Sequence, residues 1–168
     1  MIKNVLWAVV VILAALIEAT WLGVVRVQGV LPDLILLLVV FFGITEGEER
    51  AMYTGLLGGV FQDVAANAAL GQHVLCLVVV GFITGRVSHR LVTDHPAVQA
   101  ASVFAAGLIH GFIYVTVAYV QNPRLGAINV LLTSSVPTAF YTALVTPLVF
   151  LAVNGSYRLA RVPHSGNA

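Results

Sequence analysis

Six apolar stretches fill almost the whole of this 168-residue chain, and only three carboxylates, Glu18, Asp33 and Asp63, fall within or at the edge of them. With 60% hydrophobic and 9% charged residues, the runs are long enough to cross roughly 30 Å of hydrocarbon. A soluble core is not written this way, so function is expected at or inside a lipid bilayer. The stretches are Val5 to Val25, Val30 to Ile44, Ala51 to Ala69, Gln72 to Leu91, Ala97 to Val120 and Ile128 to Val153. They make one transmembrane domain over residues 1–155, with a short polar tail at 156–168.

Inside lipid every backbone amide must find its partner within the chain, which leaves helices or a closed barrel. Barrel strands alternate polar and apolar residues over about ten positions, whereas Leu34 to Phe42 (LILLLVVFF) and Val74 to Phe82 (VLCLVVVGF) are apolar throughout. The expected class is therefore an all-α integral membrane protein with six transmembrane helices. The second stretch is near the short end of the roughly 17–25 residues that a spanning helix needs, and could extend outward through Gln28. Lys3 before an apolar run has a signal-peptide look, but no convincing small-x-small cleavage site follows, and the first helix is read as retained.

Lys and Arg in short loops favour the cytoplasmic side. An inside N-terminus puts Lys3, Arg50, Arg86, Arg90, Arg158 and Arg161 in the cytoplasm against Arg26 and Arg124 outside, so both termini are expected inside. No loop has room for a nucleotide-binding or soluble catalytic module. Cys76 is the single cysteine, which excludes an intrachain disulfide.

Gly55 and Gly59, Gly81 and Gly85, and Gly107 and Gly111 each make a G-x-x-x-G step, which strips side chains from one helix face so that another helix can approach closely. The step serves packing within the chain or a face kept for a partner. The sixth stretch carries Ser134, Thr138, Thr142 and Thr146 at four-residue intervals, with Pro137 and Pro147 interrupting the ladder. Such hydroxyls bond their own backbone or a neighbouring helix, and prolines are tolerated where they compensate; a ligand-facing stripe is the alternative.

Ionisable groups in lipid are the stronger clue, because each costs roughly 2.5–3.5 kcal/mol even on the lenient insertion scale. At about 1.5 Å per residue, Glu18 lies roughly 10 Å and Asp63 roughly 9 Å below the outer ends of their helices, and Asp33 lies at the outer end of its own. Ser134 comes to a similar depth, with His110 and Thr138 nearer the middle. A polar cluster opening outward is the expectation from spacing, while each carboxylate taken singly also reads as a snorkelling or internally bonded group, and His110 as a satisfied core histidine. No H-E-x-x-H, G-x-S-x-G or G-x-G-D motif is present, so no enzyme, metal or cofactor is expected. A proton-coupled transporter would show repeated halves, and none is visible.

The run Leu31 to Gly43 (LPDLILLLVVFFG), followed by Gly55 to Gly71 (GLLGGVFQDVAANAALG) and another long apolar helix, resembles the rod-shape-determining MreD family of bacteria. There a Pro with Asp or Asn opens the second helix, and a glycine-rich third helix ends in an Asp before a small-residue loop and a Gly. The matching positions are Pro32, Asp33, Gly55, Gly59, Asp63 and Gly71. Length, six stretches and the polar tail agree, although the motifs are confined to Leu31–Val92, and Glu18 and His110 are not carried over.

The resemblance implies a non-catalytic inner-membrane scaffold of the cell-elongation machinery. Its partners would be MreC and, through it, MreB filaments, RodA and a class B penicillin-binding protein, with membrane lipid around it and no nucleic acid. It also implies a fold similar to the S-components of energy-coupling-factor transporters, which supplies the alternative function: a substrate-binding S-component with an outward-opening polar pocket. Against that, Ala66 to Gln72 (ANAALGQ) is small and uncharged, with little to form a lid. In the scaffold reading the outer polar cluster holds the helices in the arrangement that docks MreC. The basic loop Arg86 to His95 (RVSHRLVTDH) reads as a positive-inside signal, with contact to anionic lipid or MreB as the alternative.

Overall fold

The computed structural model describes residues 2–21, 31–66, 71–88, 95–121, 123 and 127–159, and all regular structure among them is helical. Arg26, Arg90, Arg124 and Arg161, most of the basic loop and the end of the tail lie outside the described residues, as do the last residues drawn into the first, third and fourth stretches.

The helix α2 (Leu34–Thr45) carries no charged side chain on any face, and all but its ends is enclosed: Ile35 through Phe42 are each at most 3% exposed. A helix that is apolar all round is buried, and here α1 (Ile2–Trp21), α3 (Glu48–Ala65), α4 (Gln72–Ser88), α5 (Pro96–Gln121) and α7 (Val136–Leu159) all pack against it. Its 12 residues rise only about 18 Å at 1.5 Å each. That shortness is tolerable in an enclosed helix, because its middle meets neighbouring helices on every side.

The outer surface is as apolar as the core. Val5, Ile12 and Leu16 on α1, Val60 and Val64 on α3, and Phe140, Leu144, Leu148 and Leu151 on α7 all point away from the bundle. Two helical segments, Ala97–Gln121 and Ile128–Val153, are long and apolar enough by themselves to cross a membrane, and shorter apolar helices occupy Asn4–Thr20, Leu34–Thr45 and Gln72–Ser88.

The glycine steps lie inside this chain's own helix pairs. On α3, a Cβ at Gly55 would lie 2.7 Å from the backbone of Leu77, and one at Gly59 2.6 Å from Cα of Val74. On α4, Gly81 meets the backbone of Ala51 and Gly85 that of Glu48. Four glycines thus interlock along one antiparallel seam, where dispersion replaces the hydrophobic drive that lipid does not supply. Gly107 and Gly111 do the same for α5 against Ala139 and Ser135 of the last helix and its lead-in.

The sixth stretch is not one regular helix. A short α6 (Ala127–Val130) runs through a single π-turn at Leu131–Ser135 into α7, which carries Pro147 inside it. The hydroxyl stripe ties this helix to itself: Thr142 Oγ1 donates to the Thr138 carbonyl at 2.7 Å and Thr146 Oγ1 to that of Thr142 at 3.0 Å.

One pole of the bundle gathers charge. Arg50 bonds Glu46 at 2.9 Å and Asn4 at 2.8 Å, its guanidinium lies 5.0 Å from the ring centroid of Trp7, and Arg86 reaches Glu48 at 3.5 Å. Just inside it, Trp7 Nε1 donates to Thr54 Oγ1 at 2.8 Å, and Ser88 Oγ donates to the Gly43 carbonyl at 2.9 Å. A second polar group lies at the opposite pole, around Glu18, Asp33 and Asp63.

Candidate functional site

The start of a helix leaves amide N–H groups without intrahelical partners, and in an apolar interior they cannot be left bare. At α2 two carboxylates meet that need. Pro32 carries the chain in without an N–H of its own, and Asp33 is the N-cap, its Oδ1 accepting from the Leu36 amide at 2.8 Å. Glu18, from α1, accepts the Ile35 amide on Oε2 at 3.2 Å. The Asp33 amide itself donates to Thr142 Oγ1 at 2.9 Å, which ties the start of α2 to α7. Negative charge at this helix end also suits the positive end of the helix dipole.

Gln62 of α3 joins the two acids. Its Nε2 donates to Glu18 Oε1 at 2.7 Å and to Asp33 Oδ1 at 3.0 Å, so one amide bridges carboxylates from two other segments. Sequence reasoning passed over Gln62 because it weighed charge; a neutral amide deep in an apolar stretch carries the same desolvation argument and was the signal available.

Asp63 does not join that cluster, although it shares its depth. Successive residues of a helix are about 100° apart, so Gln62 looks toward α1 and α2 while Asp63 looks toward α4. There it is 1% exposed and accepts three bonds: the Gly71 amide at 2.7 Å, the His73 amide at 2.8 Å and His73 Nδ1 at 2.8 Å. Gly71 has φ of 101°, a left-handed conformation that glycine adopts without strain. Asp63 is therefore the clip of the α3–α4 hairpin, anchoring the turn and the first amides of α4 while the glycine seam holds the two shafts together.

Between the acid pair and α5 lies a cavity of about 400 Å³. Glu18, Asp33 and Gln62 form one side, His73, His110 and Tyr114 another, and Ser134, Ser135 and Thr138 a third where the π-turn enters α7. The three rings form a triangle: His73 lies 5.0 Å from Tyr114 and 6.2 Å from His110, which is 6.4 Å from Tyr114. Hydrogen bonding to Asp63 sets the orientation of the His73 ring. His110 Nε2 and Gln62 Oε1 are shut off from solvent and have no hydrogen-bond partner among the described residues. For His110 this departs from the satisfied core histidine expected from sequence, because the ring lines a cavity and not a packed seam.

Of the residues singled out in the sequence, Glu18, Pro32, Asp33 and His110 line the cavity, Asp63 stands behind it through His73, and Gly55, Gly59 and Gly71 build the hairpin. His73 and Tyr114 were missed, since aromatic residues near stretch ends read as ordinary interfacial side chains. Among the described residues no group of three or more His, Cys, Asp or Glu side chains is placed to hold a metal ion.

A family model for the rod shape-determining protein MreD matches residues 1–159. The chain belongs to that family. The hairpin clip, its glycine seam and the capped start of α2 are the structural content of the residues that carried the resemblance. No curated protein and no solved structure matches the chain significantly.

Proposed function

We propose that this chain is a multi-pass protein of the bacterial inner membrane, with six spans in a single domain over residues 1–155 and both termini cytoplasmic. In this reading it is a non-catalytic scaffold of the elongation machinery. It associates with MreC and through it with MreB, RodA and a class B penicillin-binding protein, so positioning or regulating lateral peptidoglycan synthesis. The observation that carries the reading is the match to a shape-determining family over residues 1–159. The apolar exterior supports the membrane part, and the positive-inside rule is the ground for reading the Arg50 and Arg86 pole as the cytoplasmic one.

Glu18, Pro32, Asp33, Gly55, Gly59, Asp63, Gly71 and His110 then act by holding the outer pole in the shape that docks MreC. A mild-detergent pulldown of the tagged protein from its own membranes tests this. Capture of MreC with RodA or a penicillin-binding protein is expected; an energy-coupling ATPase pair in their place refutes it. That second reading, an S-component, is favoured by the polar cavity alone, and a cavity on a fold does not name a function.

A further inference from the structure

The cavity holds two carboxylates, and the hydroxyls of Tyr114, Ser134, Ser135 and Thr138 that line it can each donate or accept. Two carboxylates offer about eight acceptor sites. The bonds found at them come from the Gln62 amide group and the backbone amides of Ile35 and Leu36. Two further polar atoms, Gln62 Oε1 and His110 Nε2, are buried without partners among the described residues, but they are sealed from the cavity and offer it no acceptor. Among the described residues no Lys or Arg lines the cavity, and a helix dipole supplies only about half a positive charge against the two acids. Aromatic rings of Tyr114 and the two histidines form a second side beside the hydroxyls, a surface that attracts cations. The space, about 400 Å³, falls in the range of roughly 300–1,000 Å³ that small-molecule sites occupy.

From these observations we infer that the cavity binds a primary ammonium group, with Glu18 and Asp33 as its counter-charge and as acceptors of its N–H bonds. A primary ammonium supplies one positive charge and three donors, which match the two carboxylates and the lone pairs of the lining hydroxyls. Two sources offer that chemistry, the headgroup of an aminophospholipid and a free soluble amine. The inference stands on the cavity and not on the scaffold reading.

The test uses the full-length protein purified into nanodiscs. Native mass spectrometry compares discs containing phosphatidylethanolamine with discs of phosphatidylglycerol alone. Calorimetric titration of ethanolamine, and of choline as the control without N–H donors, is made in the latter. Retained phosphatidylethanolamine with no ethanolamine binding supports the site and assigns it to a headgroup; ethanolamine binding at least 10-fold tighter than choline supports it and assigns a free amine. Glu18→Gln and Asp33→Asn are each expected to weaken binding roughly 10- to 100-fold, the loss of one charge-assisted bond. Asn is as good an N-cap as Asp, so Asp33→Asn keeps the start of α2 intact and the experiment interpretable. The inference is overturned if neither amine binds, if phosphatidylglycerol or choline binds equally well, or if both folded variants bind as the parent does. None of these readouts involves MreC, so failure here leaves the scaffold reading to its own test.

Discussion

Replacing Asp63 by alanine removes all three acceptor bonds of the α3–α4 clip at once. The His73 amide, half-buried at the first turn of α4, loses a bond to a charged acceptor worth roughly 1.5–3 kcal/mol and gains nothing in its place. Gly71 is exposed, so its amide recovers water and its loss is nearer 0.5–1 kcal/mol, with about 1 kcal/mol more for the imidazole bond. The total expected for Asp63→Ala is about 3–5 kcal/mol. Asp63→Asn keeps an oxygen toward His73 but turns an NH₂ against the Gly71 amide, and about half of that loss is expected. Reversible unfolding in mixed micelles, followed by the fluorescence of Trp7 where it rests between Arg50 and Thr54, measures both. A loss under about 1 kcal/mol for Asp63→Ala, or an equal loss for the two variants, refutes the clip.

Further outcomes follow from the packing. Gly59→Ala sets a Cβ 2.6 Å from Val74 Cα and is expected to destabilise by about 1–3 kcal/mol despite the better helix propensity of alanine. Gly155→Ala, in open space on α7, is expected to stabilise by up to about 1 kcal/mol in the same unfolding assay. Thr142→Val strands the Asp33 amide and is expected to cost about 1–3 kcal/mol, read by unfolding and by faster hydrogen exchange at the start of α2. For orientation, a membrane-impermeant thiol reagent added outside is expected to label Pro123→Cys and not Glu46→Cys. The native Cys76, fully buried, gives no background, and labelling of Glu46→Cys alone inverts the topology.

Helix class was legible because an unbroken apolar run has few ways to satisfy its backbone in lipid. The G-x-x-x-G steps were legible as close-approach faces, though not which helix they would meet, and the pattern of Asp63 with Gly71 stood out only through the resemblance. Three things were not legible. Depth follows from counting residues, but azimuth does not, which is why Asp63 shared a level with Glu18 and Asp33 and still faced another helix. Apolar composition is the same for a surface turned to lipid and one turned to protein, so the LILLLVVFFGIT segment gave no sign of being enclosed. The π-turn at Leu131–Ser135 carries no marker in the sequence, and its last residue, Ser135, meets Gly111 of a segment far apart in the chain.

Enclosure of α2 also bears on how the protein is made. The ring around it includes α7, the last helix to leave the ribosome, so the second helix to emerge waits beside lipid until the sixth stretch arrives. Glu18 and Asp33 are already in place by then to hold the Ile35 and Leu36 amides, so of the bonds at this helix start only the one from the Asp33 amide to Thr142 must wait for the last helix.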